Sequence, residues 1–198
     1  MADADGTDDE TPVAVRVALL GLLLVAAAAL FGGLLLLRTV APTVTEDAEA
    51  ARLRAQRLLP MALPAGFRPA ATLDWNMLYL IPMEGVWIEG EAGGVVTLLS
   101  LGGRVSEDET LRQRAADSLR EQVRGSADVE DSTPLEVVVR GRAETLELLT
   151  LRDRATGERS KAFSRAFATA DGPVFLEWRQ PEAAFDADAV RRAMISIP

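Results

Sequence analysis

The sequence predicts an α+β fold, with a mostly antiparallel sheet covered by helices and one transmembrane helix before it. Three observations support this prediction: a long apolar run near the N-terminus, several short strand-like segments separated by turn signals, and two amphipathic patterns at helical spacing. A chain of 198 residues has room for one domain besides a membrane anchor. The predicted parts are an acidic disordered tail at 1–12, the anchor at 13–41, a polar helical spacer at 42–63 and a soluble α+β domain at 64–198.

The predicted anchor extends from Val17 to Leu37 without a charged residue. At about 1.5 Å per residue it would be about 30 Å long, the hydrocarbon thickness of a bilayer. Arg16 and Arg38 flank the run, where their side chains would reach the headgroups. The acidic start and the length of the run favour an uncleaved helix over a signal peptide. The sequence therefore predicts a single-pass membrane protein held through residues 17–37.

The side of the membrane and the state of association stay open in the sequence. Arginines between residues 52 and 57 favour a cytoplasmic domain by the positive-inside rule, whereas a short tail before an uncleaved anchor favours the opposite side. Ala28 and Gly32 are small residues four apart, a spacing that lets two membrane helices pack closely. A homodimer through this pair is one interpretation, and the ordinary composition of such helices is the other.

The elements after the anchor follow the order β-β-β-α-β-β-β-β-α. Pro42 ends the anchor, and Thr45 can cap the spacer helix at 45–59. Strands are predicted at residues 72–82, 86–89, 95–101, 135–142, 145–152, 160–169 and 173–179, with turns at Gly93–Gly94, at 155–158 and at Asp171–Gly172.

Two amphipathic helices are expected to cover the sheet. The first opens with a capping box from Ser106 to Glu109 and continues to about Arg124. Its apolar residues fall four apart, at Leu111, Ala115, Leu119 and Val123. The second occupies Phe185–Ile197, with Asp186 as its cap and with Val190, Met194 and Ile197 facing inward.

The chain contains no cysteine and no histidine. This excludes thiol nucleophiles, disulfides, Cys/His zinc sites and imidazole bases within the chain. The net charge is −9 and Lys161 is the only lysine, so a concentrated basic surface for nucleic acid is not expected. Together these features predict a protein without a cofactor, without a metal and without catalytic activity.

Three polar groups were the strongest candidates for chemistry, and each has a structural alternative. Glu89 and Glu91 are two apart in a predicted strand, so they form either a cation or acid–base pair or a solvated strand edge. Gly102-Gly103-Arg104 is either an anion site or a plain turn, and the acids at 107–109 oppose an anion. Lys161 is either an activated nucleophile or an exposed hairpin lysine. The structural alternative is favoured each time, so no catalytic, cofactor-binding or metal residue is predicted.

The large aromatic residues lie in predicted strands. They are Trp75, Trp87, Trp178 and Tyr79. Side chains of this kind usually pack in a core or pair across strands, and the alternatives are a pocket lining or a membrane interface.

The domain resembles the PsbP-like family in its element order and in two short phrases. The opening phrase is Pro64-Ala65-Gly66-Phe67, and the closing phrase contains Phe185, Asp186, Val190, Ser196 and Ile197. The resemblance covers residues 60–198 and includes the aromatic hairpin around Asp171-Gly172. It implies an α/β/α sandwich around an antiparallel sheet and a mostly non-enzymatic accessory or binding role, with no catalytic residues to carry over.

These observations favour a membrane-tethered, non-enzymatic binding or accessory domain that acts with a protein partner at the membrane. Two alternatives remain: a structural subunit of a larger membrane complex, and an enzyme that uses carboxylates, arginine or backbone groups. A pocket that gathers at least two of Glu89, Glu91 and Arg104 would favour the enzyme.

Overall fold

A computed structural model of the chain describes residues 43–77, 81–102 and 127–198, together with Thr110 and Arg114. Residues Pro42–Pro198 belong to one compact unit. The predictions for the acidic tail, for the membrane segment at 17–37 and for the pair Ala28 and Gly32 lie outside the described residues. The predicted helix at 106–124 lies outside them too, except for Thr110 and Arg114, which are helical and exposed.

The described residues form eight strands, two α-helices and one short 3-10 turn. The strands are β1 (Thr43–Thr45), β2 (Phe67–Met77), β3 (Ile81–Gly90), β4 (Val95–Leu101), β5 (Ala127–Val139), β6 (Arg142–Asp153), β7 (Arg159–Thr169) and β8 (Gly172–Pro181). The helices are α1 (Ala48–Leu58) and α2 (Ala187–Ile195), and the 3-10 turn is Glu182–Ala184.

All eight strands belong to one sheet, in the order β1-β2-β3-β4-β8-β7-β6-β5. Each strand is antiparallel to its neighbours, so β4 and β5 are parallel to each other. Tight hairpins join several neighbours. In the β5–β6 turn Arg140 has a φ of 51° and Gly141 a φ of 73°, which is the left-handed pair that a two-residue hairpin requires. Residues 103–126 connect β4 to β5.

The predicted α+β sandwich is wrong. The described residues form mainly an eight-stranded antiparallel sheet, and their two helices have only 11 and 9 residues. Both helices contribute to one core cluster, and therefore pack against the same face of the sheet. The described residues are thus a β structure with two short helices on one side, and the sandwich implied by the PsbP-like resemblance is corrected with it.

The single-pass membrane localisation is also corrected. No helix in the part of the chain that the structure describes is long and apolar enough to cross a bilayer. Residues 17–37, on which that expectation depends, are not in that part.

The part of the predicted spacer that the structure describes, residues 43–63, has an edge strand and a helix with buried residues. Thr43–Thr45 pairs with β2 as an edge strand, and Ala51, Ala55 and Leu58 of α1 are buried in the main core. Asp47, rather than Thr45, caps α1, since its carboxylate accepts hydrogen bonds from the backbone N–H groups of Glu49 and Ala50.

The core lies between the sheet and the two helices, and Trp178 is at its centre. Alternation along the strands points Val86 and Ile88 toward the helices, and both are fully buried. The Trp178 ring is also fully buried, with the Phe67 ring 5.3 Å and the Phe163 ring 5.8 Å from it between centroids. These aromatic contacts join the start of β2 to β7 and β8.

Candidate binding groove

The opposite face of the sheet carries a second set of apolar side chains, and we call it the far face. On this face Trp87 is in register with Thr97, and Thr97 is in register with Glu177. A groove of about 840 Å³ lies here, bordered on one side by the β6–β7 loop. Its apolar lining includes Leu73, Trp75, Met83, Trp87, Val95 and Leu99.

Two tryptophans dominate the apolar part of the groove. Trp87 remains 38% exposed in the middle of a strand, which is unusual for so large an apolar side chain. The Trp75 indole Nε1 is buried, and it has no hydrogen-bond acceptor among the described residues. A buried N–H without an acceptor costs about 1–3 kcal/mol. Because this atom is inaccessible from the groove, Trp75 contributes the surface of its ring and not a donor.

Glu177 and Arg179 form the polar end of the groove. The half-buried Glu177 carboxylate makes no hydrogen bond to a described residue. Burial raises its pKa, and the nearby charge of Arg179 offsets only part of that effect. Arg179 points its Nε instead at Ser160 Oγ, 3.1 Å away. Glu177 therefore offers an acceptor without a partner in the described fold.

Most other charged groups around the groove already have partners. Glu84 pairs with Arg57 of α1. Arg159 pairs with Glu130 at 2.8 Å and with Glu182 at 3.0 Å.

Asp153 is committed to the β6–β7 turn. Its carboxylate accepts hydrogen bonds from the backbone N–H groups of Thr156 and Ala155, which lower its pKa. Among the acids that line the groove, Glu84 and Asp153 thus serve the fold, while Glu177 has no such task among the described residues.

Neither of the two carboxylates that the sequence singled out lines the groove. Glu89 is exposed at the end of β3, and Glu91 is exposed in the turn that follows. The Glu91 backbone N–H donates to Gly66 O, which fixes the turn and not a site. No group of three or more potential metal ligands occurs among the described residues.

The other two polar candidates also have structural roles where they can be seen. Gly102 donates its backbone N–H to Pro82 O at the end of β4, while Gly103 and Arg104 lie outside the described residues. Lys161 is not the exposed hairpin lysine that the sequence favours. It is half-buried in β7, donates from Nζ to Thr150 Oγ1 at 2.7 Å and lies 3.4 Å from Glu182.

The tryptophans divide between the two faces, and Tyr79 lies outside the described residues. Trp178 is a core residue, as the favoured interpretation has it, whereas Trp75 and Trp87 line the groove. Sequence reasoning missed Glu177 and Arg179. Their spacing of two on a strand was the available signal, but it does not show which face they share.

A second, smaller cavity of about 440 Å³ lies beside α2, near Phe67 and Trp178. Residues of both phrases of the PsbP-like resemblance line it, among them Pro64, Phe67 and Asp186. Two residues before the opening phrase, the Ala62 backbone N–H donates to Ser196 Oγ at 2.7 Å. Asp186 caps α2, while Val190 and Ile197 are buried beneath it. These positions are therefore explained by packing and capping. No protein-family model and no curated protein matches the chain.

Proposed function

We propose that this domain is a non-enzymatic binding module and that the far-face groove receives a segment of a protein partner. The observation that carries the proposal is Trp87, which stays 38% exposed in a groove that it lines together with Trp75 and Met83. Partly exposed aromatic residues in a concave surface are the usual anchors of protein recognition. The PsbP-like resemblance, with its accessory and binding roles, remains a prediction that agrees with this proposal.

Catalysis finds no support in the geometry of the described residues. The carboxylates of Glu89 and Glu91 are solvent-exposed, and neither lines the groove. A general acid–base reaction needs a second titratable group in hydrogen-bond reach of the first. Glu177 makes no hydrogen bond to a described side chain that could act with it.

The proposal is tested by selecting peptides from a random displayed library against the purified protein and titrating the enriched peptides calorimetrically. We expect Trp87→Ser to weaken the selected peptides about tenfold or more, the loss typical of an aromatic anchor. The matched control is Ile195→Ser, because Ile195 is 61% exposed on α2, away from the groove lining. If no peptide is enriched, or if Trp87→Ser binds as tightly as Ile195→Ser, the proposal is wrong.

A further inference from the structure

The far-face groove has an elongated shape and an uneven distribution of charge, and both features bear on what fits it. Glu177 is in register with Thr97, Thr97 with Trp87 and Trp87 with Ala71, one strand apart at each step. Trp75 lies four residues further along β2. With about 4.8 Å between strands and about 3.3 Å per residue, the Cα atoms of Trp75 and Glu177 are about 20 Å apart. An extended peptide of about six residues covers that distance.

The charges around the groove favour a cationic occupant. The charged side chains of the lining on this face are the carboxylates of Asp153, Glu158 and Glu177 and the guanidinium groups of Arg159 and Arg179, since the Glu84 side chain pairs with Arg57 of α1 on the opposite face. Arg159 is offset by two carboxylates, as described above. Arg179 is then the only groove cation among the described residues that is not in an ion pair, against several carboxylates. The chain as a whole also carries a net charge of −9.

We infer that the groove recognises an extended basic peptide segment, in which a lysine or arginine pairs with Glu177 and apolar side chains lie against Trp87. This inference rests on the proposed function and adds the chemistry of the partner. Glu177 gives one end of the groove an acceptor, and Trp75 lines the other end. The apolar surface between them, from Trp87 to Leu99, takes aliphatic or aromatic side chains of the segment.

The same enriched peptides test this inference when each is paired with a variant in which norleucine replaces its lysine or citrulline its arginine. We expect the charged peptide to bind the wild-type protein about tenfold more tightly than its neutral counterpart, as for a charge-assisted hydrogen bond. Glu177→Gln should remove that difference while leaving the affinity for the neutral peptide unchanged. Arg179→Gln is the matched control, since it removes the opposite charge from the same strand and should not weaken the charged peptide.

The two proposals fail in different ways. Peptides that bind through Trp87 but are indifferent to the charge and to Glu177→Gln would overturn the basic segment and leave the binding module in place. The absence of any groove-dependent peptide would overturn both. Native mass spectrometry that shows a co-purified small molecule, lost in Trp87→Ser, would also overturn the peptide as occupant.

One competing occupant belongs to the chain itself. Residues 103–126 join β4 to β5 in the sequence, and their predicted apolar stripe contains Leu111 and Leu119. We would titrate the same peptides against the double variant Leu111→Ser and Leu119→Ser. Affinity that rises about tenfold or more in this variant would show that residues 103–126 compete for the groove, and it would overturn the inference. Equal affinity in the variant and the wild type is the result we expect.

Discussion

Adding a methyl group at Gly94 should destabilise the protein, because Phe67 covers this residue. A Cβ at Gly94 would lie 2.8 Å from Cζ and 3.2 Å from Cε1 of the Phe67 ring. The ring has little room to move, since its other side contacts the fully buried Trp178 at 5.3 Å between centroids. Gly94 directly precedes β4, and an aromatic ring lying over a glycine at the edge of a strand is a known way of compensating the missing side chain.

The expected magnitude follows from two opposing effects. Inserting a methyl group into packed surroundings costs about 1–3 kcal/mol, while replacing glycine by alanine recovers about 0.4–1 kcal/mol from the unfolded chain. Gly94→Ala should therefore lower the free energy of unfolding by about 1–2 kcal/mol. In a Phe67→Leu background the interfering ring atoms are absent and the 3.2 Å contact with Gln180 Cγ remains, which offsets the gain from the unfolded chain. The same change should then cost close to nothing. The coupling energy between the two positions is then about 1–2 kcal/mol.

The assay is urea unfolding followed by tryptophan fluorescence, with the midpoint compared at an unchanged m value. Gly141→Ala is the control, because Gly141 has a φ of 73° and a Cβ there would meet nothing within 4 Å. Its cost comes from the backbone, and it should be the same with Phe67 or with leucine at that position. If Gly94→Ala is neutral, or its cost does not change with Phe67→Leu, the steric explanation is wrong.

Three further changes test other parts of the structure by the same unfolding assay. Glu177→Gln should raise the unfolding midpoint at neutral pH, because burial raises the pKa of Glu177 and disfavours its charged form. This advantage should disappear as the pH falls below the unfolded pKa of about 4.3. A midpoint that is unchanged at pH 7 would contradict this prediction. Asp186→Ala should lower the unfolding midpoint, because hydrogen bonds from the Ala189 and Asp188 N–H groups hold the pKa of the folded Asp186 below its usual value. The difference from the wild type should shrink as the pH falls through that folded pKa. A difference that does not depend on pH would count against the cap. Arg140→Ala should be about 1 kcal/mol less stable than Arg140→Gly. Both variants lose the same side-chain hydrogen bonds, but only alanine keeps the strain of the left-handed backbone at this position. Equal stability of the two variants would show that the strain is negligible.

The sequence predicts best those features that a few adjacent residues determine. The turn at Gly93–Gly94 follows from glycines that tolerate a φ of 77° at Gly93, and the cap at Asp186 follows from a carboxylate within reach of two N–H groups. The β7–β8 hairpin is present as expected, although Thr169 and Gly172 are paired, so the turn lies one residue earlier than predicted. By contrast, the predicted strand at 135–142 runs through the turn at Arg140 and Gly141, because an arginine gives no signal for positive φ.

The packing of helix α1 is hard to recognise from its sequence. Its sequence is polar on average, and only Ala51, Ala55 and Leu58 of the helix are buried. Such a narrow stripe is enough to pack against a sheet, because small side chains allow close approach, but it scarcely differs from the pattern of a solvated helix. Arg54 adds a bond that composition cannot reveal: its guanidinium donates to Leu73 O at 3.1 Å and to Asp74 at 2.9 Å.

The groove could not be predicted because its residues alternate with core residues in the same strands. Glu177 lies between Leu176 and Trp178, both fully buried, so the local pattern marks it only as the opposite side of a strand. Its meaning depends on register, which places it in one row with Thr97 and Trp87, and on the arginine beside it being turned toward another group.

A half-buried carboxylate that lowers stability at neutral pH is a local conflict between the residue and the fold, and such conflicts are expected where a site is built for something other than stability. Glutamine would fill the same space as Glu177 without the charge. If Glu177→Gln both stabilises the protein and removes its preference for basic peptides, the same carboxylate lowers the stability of the fold and binds the partner. If it stabilises the protein and leaves binding unchanged, the groove is a property of the sheet alone, and its partner is selected by shape rather than by charge.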